Sequence, residues 1–436
     1  MNRNKGRWIA LTAVIVAQAC VADDILSAYQ EALESDAQFA AARAQFEAIE
    51  QRVPQSRAAL LPAVTLSANT TSNHSESNTY GRQNYNSNAW AVRLTQPLLH
   101  WDSKIEYDQT KVLVKQGRAE LEIARQDLVV RLAQAYFDVL YAQDALVFTE
   151  SERTAIAEQL AAANRRFELG TASITDVRDA KARFDIVSAQ QIAARNELAA
   201  KGEALRVITN RYPGTLAPIG EGVTLHQPVP NDMAAWVNSA VTESLAVVAG
   251  QAALEIARME TKKARAGHLP KVDLVASYGE TNSGTITTVH TDLDEHSVGV
   301  QLSLPLYAGG GTVARQRETA KLLEKAMAEL DGARRSSALQ TRQAYLNATA
   351  GLAQVTALEE ALESAGTALA ANQRGLELGV RANIDVLNAR RQVFETQRDL
   401  ARARYETLMS LLRLKAAAGR LAEADVQEVN ALLRTP

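Results

Sequence analysis

Cysteine is almost absent from this 436-residue chain, and the single example, Cys20, lies near the amino terminus. A disulfide needs a second cysteine, so none can form within the chain. Aromatic residues make up only 5% of the sequence, which argues against a large conventional globular core. Neither sign of charge dominates, because 47 lysines and arginines stand against 50 aspartates and glutamates. This balance excludes the strong basic bias expected of a nucleic-acid-binding protein.

Long apolar runs are also missing after the first residues. Residues 1–22 are predicted to be a secretory signal peptide, because basic residues precede a short apolar run and small residues precede a cleavage site after Ala22. No later stretch reaches 18 apolar residues, so we expect no membrane-spanning helix in the mature chain. The alternative is an acylation site at Cys20, which would make the protein a lipid-anchored lipoprotein.

Motifs for catalysis or metal binding are scarce. The six histidines are scattered and form no HExxH pattern, so a metal site has no support. The glycines at 309–311 lack the Lys-Ser/Thr pair of a phosphate-binding loop, and we therefore interpret them as a turn. No nucleophile motif is evident. We expect neither an enzyme nor a bound cofactor or metal.

The chain does contain a long internal repeat. Residues 166–177, the first tip, return as residues 375–386, the second tip. Gly170 then aligns with Gly379, an offset of 209 residues, and further upstream the offset is 208. Such a period indicates a duplicated half-protein rather than a solenoid. The predicted organisation is a first repeat at 23–210, a proline-containing linker at 211–232, a second repeat at 233–418 and a polar C-terminal tail at 419–436.

Helical periodicity accounts for most of the chain. The predicted helices are 23–60, 102–169, 173–210, 233–269, 312–378 and 383–418. The two longest carry heptad stripes typical of coiled coils, and at 1.5 Å per residue each would be about 100 Å long. Glycine at each tip is suited to a left-handed helix end, and Ser173 and Asn383 are expected to cap the returning helices. The fold class is therefore mainly α with a small β part, built on helical hairpins.

Strict alternation of apolar and polar residues predicts four half-buried strands. They lie at about 63–72, 88–98, 271–279 and 296–306. Each is about 10 residues long, which is enough for a tilted strand to cross a bilayer. Four strands cannot close a barrel, and an open edge is prohibitive in lipid, so several chains would have to share one barrel. The alternative is a pair of soluble hairpins whose apolar faces lie on helices.

The two tips and the duplicated layout, together with Ala59–Pro62 and Leu302–Gly310 beside the strands, resemble the TolC family of outer-membrane channel proteins. The resemblance covers nearly the whole mature chain. It implies a homotrimer with a 12-stranded barrel in the outer membrane of a Gram-negative bacterium and a helical tunnel across the periplasm. Such a channel is the exit duct for type I protein secretion or multidrug efflux. The implied partners are a periplasmic adaptor protein and an inner-membrane ABC or proton-driven transporter.

The resemblance also implies roles for individual tip residues. Asp385 matches the first carboxylate of a pore constriction ring, but the second position is Asn388, and Asp179 occupies the equivalent site of the first tip. We therefore expect a weaker cation preference than in a ring with both carboxylates. Asp176 and Arg381 match positions that link neighbouring tip helices in the closed state. The expected adaptor contacts are Gly170, Thr171, Ala172, Gly379 and Val380.

Simpler roles are open for the same residues. Asp176 and Asp385 lie in first helical turns, where a carboxylate interacts favourably with the helix dipole, and the tip glycines would end helices in any hairpin. A rival of another class is a periplasmic coiled-coil structural protein that forms no channel.

Overall fold

The computed structural model describes residues 24–79, 81–220, 223–283 and 291–433. The predicted signal peptide and Cys20 lie outside these ranges. The helices are α1 (Ile25–Ser35), α2 (Ala37–Glu50), α3 (Arg52–Ala58), α4 (Trp101–Glu168), α5 (Ile174–Thr209), α6 (Met233–Glu243), α7 (Leu245–Ala266), α8 (Gly311–Glu377), α9 (Asn383–Ala417) and α10 (Glu423–Ala431). The strands are β1 (Ala63–Ser77), β2 (Gly81–Leu99), β3 (Lys271–Ser283) and β4 (Thr291–Ser303).

Two long helical hairpins form the body of the molecule. Helices α4 and α8 contain 68 and 67 residues, and α5 and α9 return alongside them with 36 and 35 residues. In α4, the heptad residues Leu128, Leu132 and Val139 are buried, as expected for side-by-side helix packing. The matching lengths of the two hairpins reflect the duplication of the chain.

The expectation of single helices at 23–60 and 233–269 is wrong, because each segment is broken at an equivalent position. Asp36 lies between α1 and α2, and its carboxylate accepts a hydrogen bond from the Phe39 amide at 2.7 Å. Ser244 lies between α6 and α7, and its hydroxyl accepts one from the Val247 amide at 3.4 Å. These positions are 208 residues apart, so the break belongs to the repeat. Each cap side chain starts a new helix in a new direction.

The four strands form one antiparallel sheet in the order β1-β2-β3-β4. All four are longer than predicted, since β1 and β2 pair continuously to Ser77 and Gly81, β3 reaches Ser283, and β4 begins at Thr291 although it ends earlier than expected, at Ser303. Residues 73–77 and 81–87, which lie beyond the predicted ends of the first two strands, are also paired strand. Polar side chains hydrogen-bond across this ladder, as Thr70 does with Asn88 at 2.6 Å, so the chain remains extended without an apolar face.

The two faces of the sheet differ in polarity. One row across all four strands consists of apolar residues, in the order Val64, Leu94, Ala276 and Val298. The row on the opposite face is polar, in the order Thr65, Arg93, Ser277 and Ser297. Val64 and Val298 are 64% and 77% exposed, so the described chain leaves the apolar face uncovered. A bare apolar face of this kind requires lipid or another chain.

The largest core lies midway along the hairpins, and the C-terminal segment completes it. The prediction of a polar tail is wrong in this respect, because Val426 and Val429 of α10 are 2% and 6% exposed within the cluster built on Tyr136 and Phe137. Lys415 holds α10 from the end of α9 through ion pairs with Asp425 and Glu428. The linker residues described at 211–220 and 223–232 contain no helix.

One helical segment, Met233–Ala266, is long and apolar enough to cross a membrane, with a hydropathy of 1.3. This finding differs from the expectation that no mature segment would qualify. The segment is not one continuous helix, because Ser244 divides it into α6 and α7. Val247 and Leu254 of α7 pack against Leu330 of α8. Part of its apolar surface therefore packs within the chain, although only 17% of the most apolar window is buried.

Candidate gate at the tips of the helical hairpins

Both tips close with the same backbone geometry. Gly170 and Gly379 have φ angles of +72° and +73°, in the left-handed region that glycine adopts at little cost. In the first tip, the Thr171 amide donates to the Arg166 carbonyl at 2.8 Å. In the second tip, the Val380 amide donates to the Gly375 carbonyl at 2.9 Å. Each pattern is a Schellman motif, which ends a helix and reverses the chain direction.

Asp176 and Asp385 lie in the first turns of α5 and α9, and each carboxylate accepts a hydrogen bond from the backbone amide of the N-cap residue of its helix. Asp176 accepts a hydrogen bond from the Ser173 amide at 3.0 Å, and Asp385 accepts one from the Ala382 amide at 3.2 Å. The capping role that the sequence left open is thus observed for both. The N-cap of α9 is Ala382, so the expectation for Asn383 is wrong. Asn383 is the first residue of α9, and its side-chain oxygen accepts a hydrogen bond from Gln159 of α4.

Within one chain, Asp385 has a cation beside it. Arg381 Nη1 lies 3.9 Å from Asp385 Oδ2, while the Asp385 side chain retains 37% exposure. Within the described chain no ion pair joins Arg381 to Asp176: Arg381 lies beside Asp385, and Asp176 accepts a hydrogen bond from Ser173. The predicted link between Arg381 and Asp176 would have to join two copies of the chain.

The neighbouring polar residues have different environments. Asn388 Oδ1 accepts a hydrogen bond from Arg183 Nη2 at 2.8 Å, so a cation from α5 stands next to the position where the family pattern has a second carboxylate. Asp179 is exposed and has no hydrogen-bond or ion-pair partner in the described part of the chain. Of the three expected constriction residues, Asp179 alone is unengaged within the protomer.

Contacts between α9 and the first hairpin were not predicted from the sequence. Ile156, Val187 and Leu387 form a buried apolar cluster that joins α4, α5 and α9. Beside it, Arg390 Nη1 donates to the Ala155 carbonyl at 3.2 Å. The two hairpins are therefore connected just above the tips. Helical periodicity could indicate buried positions on each helix, but it contains no information on which helix each one meets.

A buried carboxylate lies within this connection. Glu152 is only 4% exposed, and its Oε2 has no hydrogen-bond partner among the described residues. It faces a cavity of about 170 Å³ between α4, α5 and α9. Burial raises the pKa of the Glu152 carboxyl and Glu395 acts in the same direction, whereas Arg398, Arg391 and Arg183 act to lower it. Nothing in the sequence around Glu152 distinguishes it from the many surface glutamates of the helices.

The ends of the tips are exposed and partly apolar. Of the expected adaptor contacts, Gly170, Thr171, Gly379 and Val380 are exposed and Ala172 is half-buried. Leu169 and Leu378, which precede the two glycines, are 78% and 73% exposed, and Val380 is 75% exposed. These leucines were not among the expected contacts, although a leucine precedes the glycine in both tips of the sequence. Exposed apolar side chains at both tips provide a surface suited to contact with another protein.

Together, these features define a class of protein. Duplicated hairpins about 100 Å long, joined near a charged tip, lie beneath a sheet whose apolar face is bare. A model of the family described as outer membrane efflux protein matches residues 28–211 and 236–420, which correspond to the two repeats.

Similar proteins cover almost the whole chain. The sequence is 33% identical over 422 residues to the outer membrane protein TolC of Vibrio cholerae, with 96% of each chain covered. It is also 33% identical to the alkaline protease secretion protein AprF of Pseudomonas aeruginosa, covering 93% of this chain and 86% of that protein. Among solved structures, the Campylobacter jejuni CmeC outer membrane channel matches with a TM-score of 0.81 at 15% identity, covering 100% of this chain and 98% of the other.

The chain therefore belongs to the outer membrane efflux protein family. It is an outer-membrane channel protein whose helices extend into the periplasm, and its family consists of transport channels rather than enzymes. This assignment confirms the fold class and the family predicted from the sequence.

Proposed function

We propose that three copies of this chain form the exit duct of a type I protein secretion system. The observation that carries the proposal is the open four-stranded sheet, whose outer strands β1 and β4 each have one unpaired edge in the chain. Unpaired edges are not tolerated in lipid, and pairing β1 of one copy with β4 of the next would remove them. Three copies provide twelve strands, with the apolar row facing lipid and the polar row facing the lumen.

The identity of the cargo is inferred from relatives. Full-length relatives of about one-third identity include the AprF protein named above, whose name refers to secretion of an alkaline protease. A more distant relative, PrtF of Dickeya chrysanthemi, is 28% identical over 98% of this chain and is named for the secretion of proteases. Multidrug efflux is the second candidate function, and it is supported by the outer membrane efflux protein BepC of Brucella suis at 24% identity. A single duct of this kind can serve both routes.

The tips are proposed to be the gate. Asp385 would place one carboxylate per chain in the constriction, with Asn388 and Asp179 beside it, and a narrow passage lined by carboxylates favours cations. Asp176 and Arg381 would link neighbouring copies in the closed state. Gly170, Thr171, Ala172, Gly379 and Val380, together with the exposed Leu169 and Leu378, would contact a periplasmic adaptor. The adaptor would open the tips and connect the duct to an inner-membrane transporter, which supplies the energy.

Single-channel recording in planar lipid bilayers tests the duct and its gate together. The detergent-purified protein should give stable, small, cation-preferring conductance steps. Asp385→Asn retains an oxygen that can accept the Ala382 amide hydrogen bond but removes the charge, so it should reduce cation preference without opening the tip. Asp385→Ala removes both the charge and the hydrogen-bond acceptor, so it should reduce cation preference and also increase conductance.

The outcomes are distinguishable. If all three proteins conduct identically, the duct is retained and the gate lies elsewhere. If a folded oligomer does not insert into the bilayer, the non-channel coiled-coil alternative is favoured. Acylation of Cys20 in the purified protein, detected by mass spectrometry, would identify the lipoprotein variant of the same duct.

A further inference from the structure

A pocket of about 420 Å³ lies where β2 continues into α4, at the boundary between the sheet and the helices. Its apolar wall includes Leu98, Leu99 and the ring of Trp101, which are 55%, 37% and 42% exposed. Lys104 and Tyr107, from the first two turns of α4, also line the pocket. The pocket therefore combines an apolar surface with a cation and a phenol over a short distance.

A β-bulge orients the apolar wall of the pocket. The register of β2 against β3 shifts between Pro97 and Leu99, so that Leu99 pairs with Val272. Val272 lies on the same face as Ala276, because side chains alternate along a strand, and Ala276 belongs to the apolar row. The bulge thus brings Leu99 onto the lipid-facing side of the sheet. The pocket continues the apolar face of the sheet at its periplasmic end.

Lys104 is the cation available in the pocket. Its ammonium lies 5.9 Å from the centroid of the Trp101 ring, and it forms no ion pair within the described chain. The carboxylate of the pocket, Asp108, is already paired with Lys111 at 3.0 Å. Lys111 in turn lies 3.9 Å above the Tyr107 ring. The arrangement leaves one unpaired positive charge directly beside exposed leucines.

The pocket remains accessible when copies of the chain associate through their sheet edges. β2 is an inner strand, flanked by β1 and β3 of the same chain. A second copy would pair with the free edge of β1 or of β4, so at least one strand of this chain would lie between it and β2. The position of the pocket relative to the membrane is also defined, because the strands lie in the outer membrane and α4 leads into the periplasm. The pocket therefore lies next to the periplasmic leaflet of the outer membrane.

We propose that the pocket binds an anionic glycerophospholipid of the periplasmic leaflet. The acyl chains lie on Leu98 and Leu99, and the phosphate is held by Lys104 at the rim of the Trp101 ring. Aromatic residues favour the interface between lipid and water, and lysines near the membrane surface attract anionic headgroups. The charge of Lys104 and the continuity of the pocket with the lipid-facing sheet select this occupant. The site does not depend on the nature of the exported cargo.

Native mass spectrometry of the intact detergent-purified assembly tests the site. Palmitoyl-oleoyl phosphatidylglycerol and the corresponding phosphatidylcholine are titrated separately against the wild type, Lys104→Gln and Lys104→Arg. The control is Lys115→Gln, because Lys115 is an exposed lysine of the same helix, 11 residues further from the sheet. We expect Lys104→Gln to weaken phosphatidylglycerol binding about fivefold, the effect of losing one interfacial charge. The other two variants should bind like the wild type.

Several results would overturn the proposal. Equal binding of phosphatidylglycerol by the wild type and Lys104→Gln would remove the role of the lysine. Equal affinity for phosphatidylcholine and phosphatidylglycerol would remove the selectivity for anionic lipid. Displacement of phosphatidylglycerol by millimolar inorganic phosphate would show a phosphate site instead of a lipid site. Retention of the wild-type oligomer mass in each spectrum shows that the variants have folded and assembled.

Discussion

Arg183 of α5 donates a hydrogen bond from Nη2 to Oδ1 of Asn388 in α9 across 2.8 Å. The bond joins the two halves of the duplicated chain beside the proposed constriction. A guanidinium at this place offsets nearby carboxylates, whereas a carboxylate at 388 would add to them. In the proposed constriction, the local charge would therefore depend on Arg183 and on the residue at 388 as well as on Asp385.

The first prediction concerns this pair. Asn388→Asp should change ion selectivity only slightly, because Arg183 neutralises the new carboxylate, and an exposed pair of this kind is worth about 0.2–1 kcal/mol. Combining it with Arg183→Ala should leave the carboxylate unpaired and shift selectivity further toward cations. Reversal potentials in a KCl gradient measure both effects. Identical reversal potentials for the single and double variants would exclude Arg183 from the conducting path.

The second prediction concerns the pH dependence of stability at Glu152. Because burial raises the pKa of this carboxyl, the folded state binds its proton more tightly than the unfolded state does. The contribution of this carboxyl to the stability of the folded state is therefore present below the ordinary glutamate pKa. It is lost as the pH rises through the raised pKa of the folded state. Glu152→Gln keeps the shape without the charge, so it should raise the unfolding midpoint more at pH 8 than at pH 4.

Thermal unfolding of the full-length protein in detergent, followed by circular dichroism at several pH values, checks this expectation. Glu158→Gln is the matched control, since Glu158 is an exposed glutamate of the same helix. An equal change in midpoint for both variants at every pH would contradict a special role for Glu152.

The third prediction compares the two equivalent helix breaks. Asp36 is 4% exposed and forms a two-point ion pair with Arg131, both contacts being 3.0 Å, while also capping α2. Asp36→Ala should lower the free energy of unfolding by about 3 kcal/mol. This value is at the lower end of the range for a broken buried ion pair, because Arg131 keeps its ion pair with Asp127. Ser244→Ala, at the equivalent position, should cost about 1 kcal/mol as the loss of a cap. Urea unfolding in detergent measures the difference.

The same pair gives a pH dependence of the opposite sign to that of Glu152. The Arg131 guanidinium lowers the pKa of the Asp36 carboxyl. Its contribution to stability is present above the ordinary aspartate pKa and is lost as the pH falls toward the lowered value. The difference between the unfolding midpoints of Asp36→Ala and the wild type should therefore narrow as the pH falls below the ordinary aspartate pKa. A constant difference down to pH 2 would show that the ion pair contributes nothing beyond packing.

The fourth prediction concerns the tip glycines. A Cβ at Gly170 or Gly379 would meet no atom within 4 Å, so the cost of alanine there arises from the backbone alone. We expect each substitution to destabilise its tip by roughly 1–2 kcal/mol because φ is positive. Gly366→Ala, in an ordinary helical position of α8 with equally open space, should instead stabilise by about 0.5–1 kcal/mol. Hydrogen exchange at the tips distinguishes them, and faster exchange in all three variants would refute the backbone explanation.

The sequence predicts the long hairpins because their signals are local. Heptad spacing indicates the stripe at Leu128 and Leu132, and glycine at 170 and 379 indicates where each helix must end. The break at Asp36 was missed because the alanine-rich pattern continues through it. Its only visible sign is that Asp36 and Ser244, both good N-caps, occupy equivalent positions of the repeat.

The limits of the strands and the contacts of the gate were harder to predict. Beyond Ala68 both faces of the β1-β2 ladder are polar, so alternation disappears although the pairing continues. At the gate, capping by Asp176 follows from neighbouring residues, whereas the bond from Arg183 to Asn388 depends on how α5 and α9 lie together. Such a contact is a property of tertiary packing, and one sequence without its fold does not contain it in readable form.

The uncovered sheet also constrains how a newly exported chain can assemble. Until its free edges are paired and its apolar row is in lipid, the sheet can neither satisfy its backbone nor shield Val64 and Val298. If copies of the chain share one barrel as proposed, completing the sheet, inserting it into lipid and associating with other copies would occur as one coupled event. A solitary chain in the periplasm would keep two unpaired strand edges and an exposed apolar face, both of which favour aggregation, so rapid assembly would protect it.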